Sequence, residues 1–169
     1  MSHTSPNEGP GPNDLPEDTS GPGVFVPPPL FPVVFILLGM LLERFWPLAI
    51  PAGPLVTWLG RGLVLAGLAV MISVGIRFRR AATHIRPNKP TSTIVTNGFF
   101  GFSRNPIYLS FLVLQLAVAL ILNTYWIMIT MPLTVAGLDL YVIRREEKYL
   151  SRKFGQEYDD YKARVRRWL

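Results

Sequence analysis

The sequence predicts an all-α protein: a multi-pass transmembrane helical bundle with about four crossings, followed by a cytoplasmic, amphipathic C-terminal helix. Three observations predict this fold. Of the 169 residues, 49% are hydrophobic and the mean hydropathy is +0.29, which is too apolar for an ordinary soluble domain of this size. Four apolar runs, each close to the length that crosses a bilayer, follow one another between residues 30 and 143. After residue 143 the chain becomes strongly charged but keeps hydrophobic side chains at helical spacing.

The chain begins with a polar tail, residues 1–29. This tail holds eight prolines, four glycines, four acidic residues and neither lysine nor arginine. Such a segment buries too little apolar area to offset the entropy lost on ordering. We therefore expect an acidic, Pro/Gly-rich, disordered tail and one membrane domain over residues 30–169.

The first two apolar runs predict transmembrane helices at residues 30–48 and 55–76. The first run is interrupted by Glu43-Arg44 and closed by Trp46-Pro47, which is typical of a helix end at the membrane interface. The second run contains four glycines, which permit close helix packing in lipid, and it ends at a group of arginines. A polar cytoplasmic loop over residues 77–106 follows.

A helical hairpin is predicted after this loop, with transmembrane helices at residues 107–122 and 125–143 and a tight turn at Asn123-Thr124. The first of these runs has sixteen residues, whereas a full crossing takes about 20. It therefore either begins inside the preceding loop or reaches only partway across the bilayer.

Residues 145–167 predict the amphipathic C-terminal helix, with a break at Gly155. Four crossings would place both termini and the 77–106 loop on one side of the membrane. Of the 17 lysines and arginines, six lie in the loop and nine lie after residue 143, so fifteen share that side. The positive-inside rule makes it the cytoplasmic side.

Composition also limits partners and chemistry. The net charge is +6, but the basic residues flank apolar runs and form no patch with interleaved aromatics. We therefore expect the membrane and its anionic headgroups as partners, and no nucleic acid. The chain has no cysteine and only two histidines, His3 and His84, which excludes disulfides, thiolate nucleophiles and cysteine-ligated metals. No metal site is predicted.

Two short blocks carry the candidate chemistry, and each lies where an apolar run meets a polar, basic segment. In the first block Pro106 suits the first turn of a helix and Asn105 is a good cap before it. Arg104 and the free amides of that helix start suit a carboxylate or phosphate at the membrane interface. The alternative is a plain helix start with a snorkelling arginine.

The second block contains Glu146 and Glu147 directly after two arginines. Acids are unusual at the end of a membrane helix because the last turn favours cations, although salt bridges or solvation would also explain them. Asp139 lies seven residues before Glu146, which places both on one face of a regular helix, and it is an acid inside an apolar run. These three acids are candidates for chemistry, with His84 as a further candidate base.

Both blocks resemble a known superfamily. The stretch from Ile94 to Leu109 resembles the Val-x-x-Gly-x-Tyr-x-x-x-Arg-His-Pro-x-Tyr block of the isoprenylcysteine carboxyl methyltransferases and phospholipid methyltransferases. Glu146-Glu147, with Phe154-Gly155-Gln156-Glu157-Tyr158 and Tyr161, is similar to the Glu-Glu and Phe-Gly-x-Glu-Tyr-x-x-Tyr run of that superfamily. The resemblance covers residues 77–167. This chain departs from the pattern in having Asn105 for His, Phe100 for Tyr, Ser110 for Gly and Arg166 for Pro.

The resemblance implies an integral membrane methyltransferase that uses S-adenosylmethionine. It implies that Glu146, with Glu147 as alternate, binds the ammonium group of this cofactor. The remaining cofactor-binding candidates are Gly98, Phe100, Asn105, Pro106, Tyr108 and Leu109.

The candidate catalytic residues are Arg104, Glu147 and Asp139. Arg104 would orient an anionic acceptor, and Asp139, Glu147 or His84 would remove a proton if the acceptor is an amine. We expect a lipidic or lipid-anchored acceptor that enters from the bilayer. Carboxylate, amine, sulfur and phenol acceptors all stay open.

Two alternatives belong to other classes. The C-terminal ends of sterol reductases are similar to parts of both blocks, which would indicate an NAD(P)H-dependent membrane reductase, although those enzymes have more crossings. A non-enzymatic membrane adaptor would follow if the blocks were only helix starts and surface charges.

Overall fold

The computed structural model describes residues 21–51, 53–80 and 94–169. Within these ranges the regular elements are all helical, apart from one isolated bridge between Ala49 and Thr124. The predicted all-α class is therefore confirmed. In chain order the elements are α1 (Leu30–Phe45), α2 (Pro54–Arg80), a 3-10 helix (Gly98–Gly101), α3 (Pro106–Ile121), α4 (Tyr125–Gly137), a π-helix (Leu138–Ile143), α5 (Arg144–Phe154) and α6 (Gln156–Arg164).

Prolines and charges set the ends of the first two helices. Helix α1 stops at Phe45, two residues before Pro47, because the residue before a proline disfavours the helical conformation. Helix α2 begins on Pro54 and runs for 27 residues, a full turn past the predicted end at residue 76. Its last turn holds three arginines, where cations interact favourably with the helix dipole.

Helices α3 and α4 form the predicted hairpin. Asn123 adopts a left-handed conformation in the turn (φ 58°), which asparagine tolerates better than most residues. Thr124 caps α4, because its side chain accepts a hydrogen bond from the backbone N–H of Trp126 at 3.2 Å. Helix α4, the π-helix and α5 continue as one helical stretch, so the helix does not end at residue 143 as predicted.

Two stretches, Pro54–Arg80 and Tyr125–Phe154, are long and apolar enough to cross a membrane. Only 17% and 33% of their most apolar windows are buried inside the protein, so most of these apolar side chains lie on its surface. Helix α3 has sixteen residues, about 24 Å, which is shorter than the ~30 Å hydrocarbon core.

Close helix packing holds the bundle together. Helix α1 packs on α4, and α2 packs on α3. A β-carbon on Gly39 would lie 2.8 Å from the Cα atom of Ile127, so only glycine permits this approach of α1 to α4. The buried Gln115 on α3 accepts a hydrogen bond from the Thr134 hydroxyl on α4 at 2.8 Å.

The two ends of the bundle differ. At one end the loop after α1 meets the hairpin turn: the Tyr125 N–H donates to the Leu48 carbonyl at 3.0 Å, and the Thr124 hydroxyl donates to Glu43 Oε2 at 2.6 Å. The opposite end gathers the start of α3, the helices α5 and α6, and two terminal segments. We call residues 21–29 the N-terminal strap and residues 165–169 the C-terminal strap.

The N-terminal strap corrects the predicted extent of the disordered tail. Val24 is 3% exposed and belongs to a core cluster with Tyr108 and Leu138. The Gly23 carbonyl accepts a hydrogen bond from Arg145 Nη1 at 3.0 Å. Residues 21–29 are therefore part of the folded protein, because Val24 supplies buried apolar area that the rest of the tail lacks. Residues 1–20 lie outside the described residues.

The C-terminal helix predicted at residues 145–167 consists of two helices. Gly155 has φ +52° and separates α5 from α6, at the break that we expected. Helix α6 ends at Arg164, and Val165 is extended, so the C-terminal strap leaves the helix and runs back to the start of α3.

Candidate functional site

The structure brings the two sequence blocks into contact. Tyr108 lies in the first turn of α3 and Glu146 in the first turn of α5, and the Tyr108 hydroxyl donates a 2.7 Å hydrogen bond to Glu146 Oε1. Pro106 and Tyr108 are buried beside this contact, because the proline fixes the start of α3 against the bundle.

Beside this contact lies a cluster of ion pairs, in which three arginines hold two carboxylates. Arg167 donates to Glu147 through Nη2 at 2.6 Å and Nε at 3.0 Å, and to Asp139 through Nη1 at 3.0 Å. Arg144 Nε also lies 3.0 Å from Asp139, and Arg104 Nη1 lies 3.1 Å from Glu147. The side chains of Arg104 and Glu147 are only 12% and 14% exposed, so this pair is poorly screened by water.

Arg104 is incompletely satisfied. Its Nε and Nη1 atoms are buried and have no hydrogen-bond acceptor among the described residues. Nη1 is close to Glu147 but not aligned for a hydrogen bond, so the two groups attract each other without saturating the guanidinium. A buried donor without an acceptor is rare in folded proteins and suits an anionic ligand.

The C-terminal strap covers the start of α3. The Arg104 N–H donates to the Arg166 carbonyl at 3.0 Å, and both the Asn105 side-chain amide (2.9 Å) and the Ser103 hydroxyl (3.3 Å) donate to the Arg167 carbonyl. The expected helix cap by the Asn105 side chain is therefore wrong: Asn105 precedes α3, but its amide binds the strap instead of a backbone N–H of the helix.

The π-helix changes which acids lie together. On a regular helix Asp139 and Glu146 would share a face, but the wider turns of Leu138–Ile143 shift this register. Asp139 accepts from Arg144, five residues on, and shares Arg167 with Glu147, whereas Glu146 turns to Tyr108. The prediction that Asp139 and Glu146 lie on one helix face therefore fails, because the two carboxylates have different partners. Single π turns of this kind often occur at functional sites.

The remaining cofactor-binding candidates lie around the 3-10 helix and the start of α3. Gly98 has φ +65° and lies against Arg77: a β-carbon there would be 2.3 Å from Arg77 Cζ. Phe100 is buried, and its ring packs edge-on against Phe78 at 5.5 Å. Leu109 is half-buried in the first turn of α3. The structure assigns Gly98 a close contact with an arginine, which gives one structural reason for a glycine at this position.

Helix α6 packs against the 3-10 helix next to the site. The Tyr161 hydroxyl donates to the Phe100 carbonyl at 2.8 Å. Burial, with the negative charge of Glu147, raises the pKa of Tyr158 to about 12, and burial also raises the pKa of Tyr161. Hydrogen bonds to Glu147 raise the pKa of Arg167. At neutral pH both phenols therefore keep their protons and Arg167 is a cation.

Three residues of the site, Arg167, Arg144 and Ser103, were not among the residues predicted from the sequence. Arg167 follows the last residue of the second block, Tyr161, by six positions, and no local spacing indicates that it meets Asp139 and Glu147. His84, the further candidate base, lies outside the described residues. Within residues 21–51, 53–80 and 94–169 no group of three or more His, Asp or Glu side chains could hold a metal ion.

Comparisons with known proteins agree with the motifs. The model of the phospholipid methyltransferase family (PEMT) matches residues 55–157, more than half of the chain. An uncharacterized protein from Haemophilus influenzae is 41% identical over 63 residues, which make up 37% of this chain and all of that protein. No solved structure matches the chain significantly.

Proposed function

Because the chain belongs to the phospholipid methyltransferase family, we propose that it is an S-adenosylmethionine-dependent membrane methyltransferase. The proposed acceptor is lipidic or lipid-anchored, and it is methylated at a carboxylate oxygen or a headgroup amine. The proposal rests on the family and on the distribution of charge at the end of the bundle where α3 begins.

The observation that carries the proposal is the position of Glu146. Asp139 and Glu147 are each bound by arginines, whereas Glu146 accepts a hydrogen bond from Tyr108 and has no cation partner among the described residues. A partly buried carboxylate without a cation is costly unless a ligand supplies the positive charge. The α-ammonium group of S-adenosylmethionine is such a cation, so the residues present fit this cofactor.

Arg104 lies on the other sequence block from Glu146 and carries the opposite charge. Its two unsatisfied N–H groups suit a carboxylate or phosphate, which we assign to the acceptor. Glu146 and Arg104 thus present opposite charges on the two blocks, with the Tyr108 hydroxyl and the start of α3 between them.

The proposed mechanism needs orientation more than reactive side chains. When bound, S-adenosylmethionine supplies an electrophilic methyl group on a sulfonium sulfur. The tasks of the chain are to hold the donor at Glu146, to align the acceptor at Arg104 and to exclude water, which the two straps and the buried Tyr108 favour. If the acceptor is an amine, Glu147 or Asp139 is the nearest group that could take its proton.

We further propose four crossings with both termini in the cytoplasm. The meeting of the α1–α2 loop with the hairpin turn supports this topology, because it leaves the straps, α5 and α6 together at the opposite end of the bundle. The cofactor would then enter from the cytosol and the acceptor from the bilayer.

The test is methyl transfer by the purified protein in lipid nanodiscs. S-adenosylmethionine with a radiolabelled methyl group is added to vesicles of a total lipid extract, and the labelled product is identified by mass spectrometry. We expect label in a lipid fraction, and at least tenfold less with Arg104→Ala, because this change removes one charge-assisted contact worth about 1.5–3 kcal/mol. Uptake of a nicotinamide nucleotide without methyl transfer would indicate the reductase instead, and no uptake of either would indicate the adaptor.

A further inference from the structure

Within the described part of the chain, Arg167 is the one residue that contacts both Asp139 and Glu147, the two arginine-bound carboxylates of the site. Its guanidinium binds Glu147 through two parallel hydrogen bonds and Asp139 through a third, and its backbone carbonyl accepts from Asn105 and Ser103. We infer that Arg167 is a positioning residue, which keeps both Glu147 oxygens aligned with its own guanidinium and out of hydrogen-bond alignment with Arg104, and so leaves the buried Arg104 donors for an anionic acceptor. This inference rests on the proposed function.

The geometry around Glu147 supports this role. Glu147 lies 3.1 Å from Arg104 Nη1, yet that atom and Arg104 Nε lack a hydrogen bond. Both oxygens of Glu147 are instead aligned with Arg167, at 3.0 and 2.6 Å. Two guanidinium groups therefore compete for one carboxylate, and the fork of Arg167 prevails because it is bidentate. Without Arg167, Glu147 is free to turn and saturate Arg104.

Arg167 contacts two of the three acids of the site and not the third, Glu146. Asp139 and Glu147 are joined through Arg167, whereas Glu146 accepts a hydrogen bond from Tyr108 and has no contact with Arg167 among the described interactions. Loss of Arg167 should therefore impair use of the acceptor and leave cofactor binding at Glu146 nearly unchanged. A merely structural role would lower both together.

Lysine cannot replace this arginine fully. A guanidinium presents a rigid fork that reaches two carboxylates at once, whereas an ammonium is a single point charge on a flexible stem. We expect Arg167→Lys to hold one carboxylate at a time and to have an activity between those of wild type and Arg167→Gln.

The experiment compares four full-length proteins in nanodiscs: wild type, Arg167→Gln, Arg167→Lys and the control Arg164→Gln, which removes the same charge from an exposed position on α6. Titration calorimetry with S-adenosylhomocysteine gives the cofactor affinity, and radiolabel transfer into the lipid extract gives the rate. For Arg167→Gln we expect a methyl-transfer rate roughly 10- to 100-fold lower than that of wild type, because the acceptor would no longer be aligned. The Kd for S-adenosylhomocysteine should stay within about threefold of wild type. Arg164→Gln should match wild type in both.

A double-variant cycle separates positioning from a general loss of fold. In a Glu147→Gln background the carboxylate that Arg167 restrains is gone, so Arg167→Gln should lower the rate by a much smaller factor than in wild type. An equal factor in both backgrounds, or an Arg167→Gln protein as active as the Arg164→Gln control, would overturn the inference. If Arg167→Gln fails to fold, the rate effect of Arg167→Lys is compared in the wild-type and Glu147→Gln backgrounds instead. A wild type that binds no cofactor and transfers no methyl group would instead refute the proposed function, and the inference with it.

Discussion

The Glu146→Gln substitution tests the proposed cofactor contact most directly. In the wild-type protein the Tyr108 hydroxyl lies 2.7 Å from Glu146 Oε1. Glutamine keeps the shape of the side chain and an oxygen that can accept this hydrogen bond, but it removes the negative charge. We therefore expect the folded protein to persist, with a change in thermal stability no larger than that of other conservative variants. Only the interaction with an ammonium group should be lost.

The size of the effect follows from the contacts of Glu146. No cation among the described residues competes for this carboxylate, so a bound ammonium would make a charge-assisted hydrogen bond to it. Such bonds contribute about 1.5–3 kcal/mol. At about 1.4 kcal/mol per tenfold change, the Kd should rise by a factor of roughly 10 to 150.

The assay is calorimetric titration of the nanodisc protein with S-adenosylhomocysteine, which carries the ammonium group but no transferable methyl group. It thus reports binding alone. Glu157→Gln is the matched control, because Glu157 is an exposed acid on α6, away from Tyr108. An unchanged Kd for Glu146→Gln, or an equal rise in the control, would refute the assignment of Glu146.

Two further predictions concern the same contact and the bundle. Tyr108→Phe removes the hydroxyl that orients Glu146, so the affinity for S-adenosylhomocysteine should fall by up to about tenfold, in line with one hydrogen bond of ~1 kcal/mol; a change as large as that of Glu146→Gln would mean that Tyr108 contacts the ligand itself. Gly39→Ala would push a β-carbon to 2.8 Å from Ile127 Cα and should destabilise the protein by about 1–3 kcal/mol, measured by thermal unfolding in detergent. Gly62→Ala, which meets open space, should be neutral or slightly stabilising, and equal effects of the two changes would contradict close packing of α1 on α4.

The helices were predictable because their signals are local. Apolar runs, Pro54 and Pro106 at helix starts, Asn123-Thr124 at the turn and Gly155 at the break all act within a few residues of where they stand. The contact between Tyr108 and Glu146 was also foreseeable, since a hairpin brings the start of its first helix close to the residues that follow its second.

The rest of the site depends on long-range contacts and one backbone irregularity. Arg167 meets Glu147 from 20 residues away, and its carbonyl meets Asn105 across 62 residues, so no periodicity indicates either contact. The π-helix is equally hidden, because the sequence of Leu138–Ile143 fits the wider turns no better than a regular α-helix. Assigning Asp139 to the face of Glu146 failed for this reason: one wider turn moved Asp139 to the arginine cluster.

The charges of the site explain why its two incompletely satisfied groups are useful together. Three arginines and two carboxylates form the cluster, and Glu146 lies outside it, so the formal charges of these six side chains balance. These charges are unevenly distributed, because among the residues that the structure describes Glu146 has no cation partner and two buried donor atoms of Arg104 have no acceptor. A cationic methyl donor at Glu146 and an anionic acceptor at Arg104 would satisfy both groups at once. Where water is excluded, opposite charges attract strongly, so this arrangement would favour bringing the two reactants together over binding either of them alone.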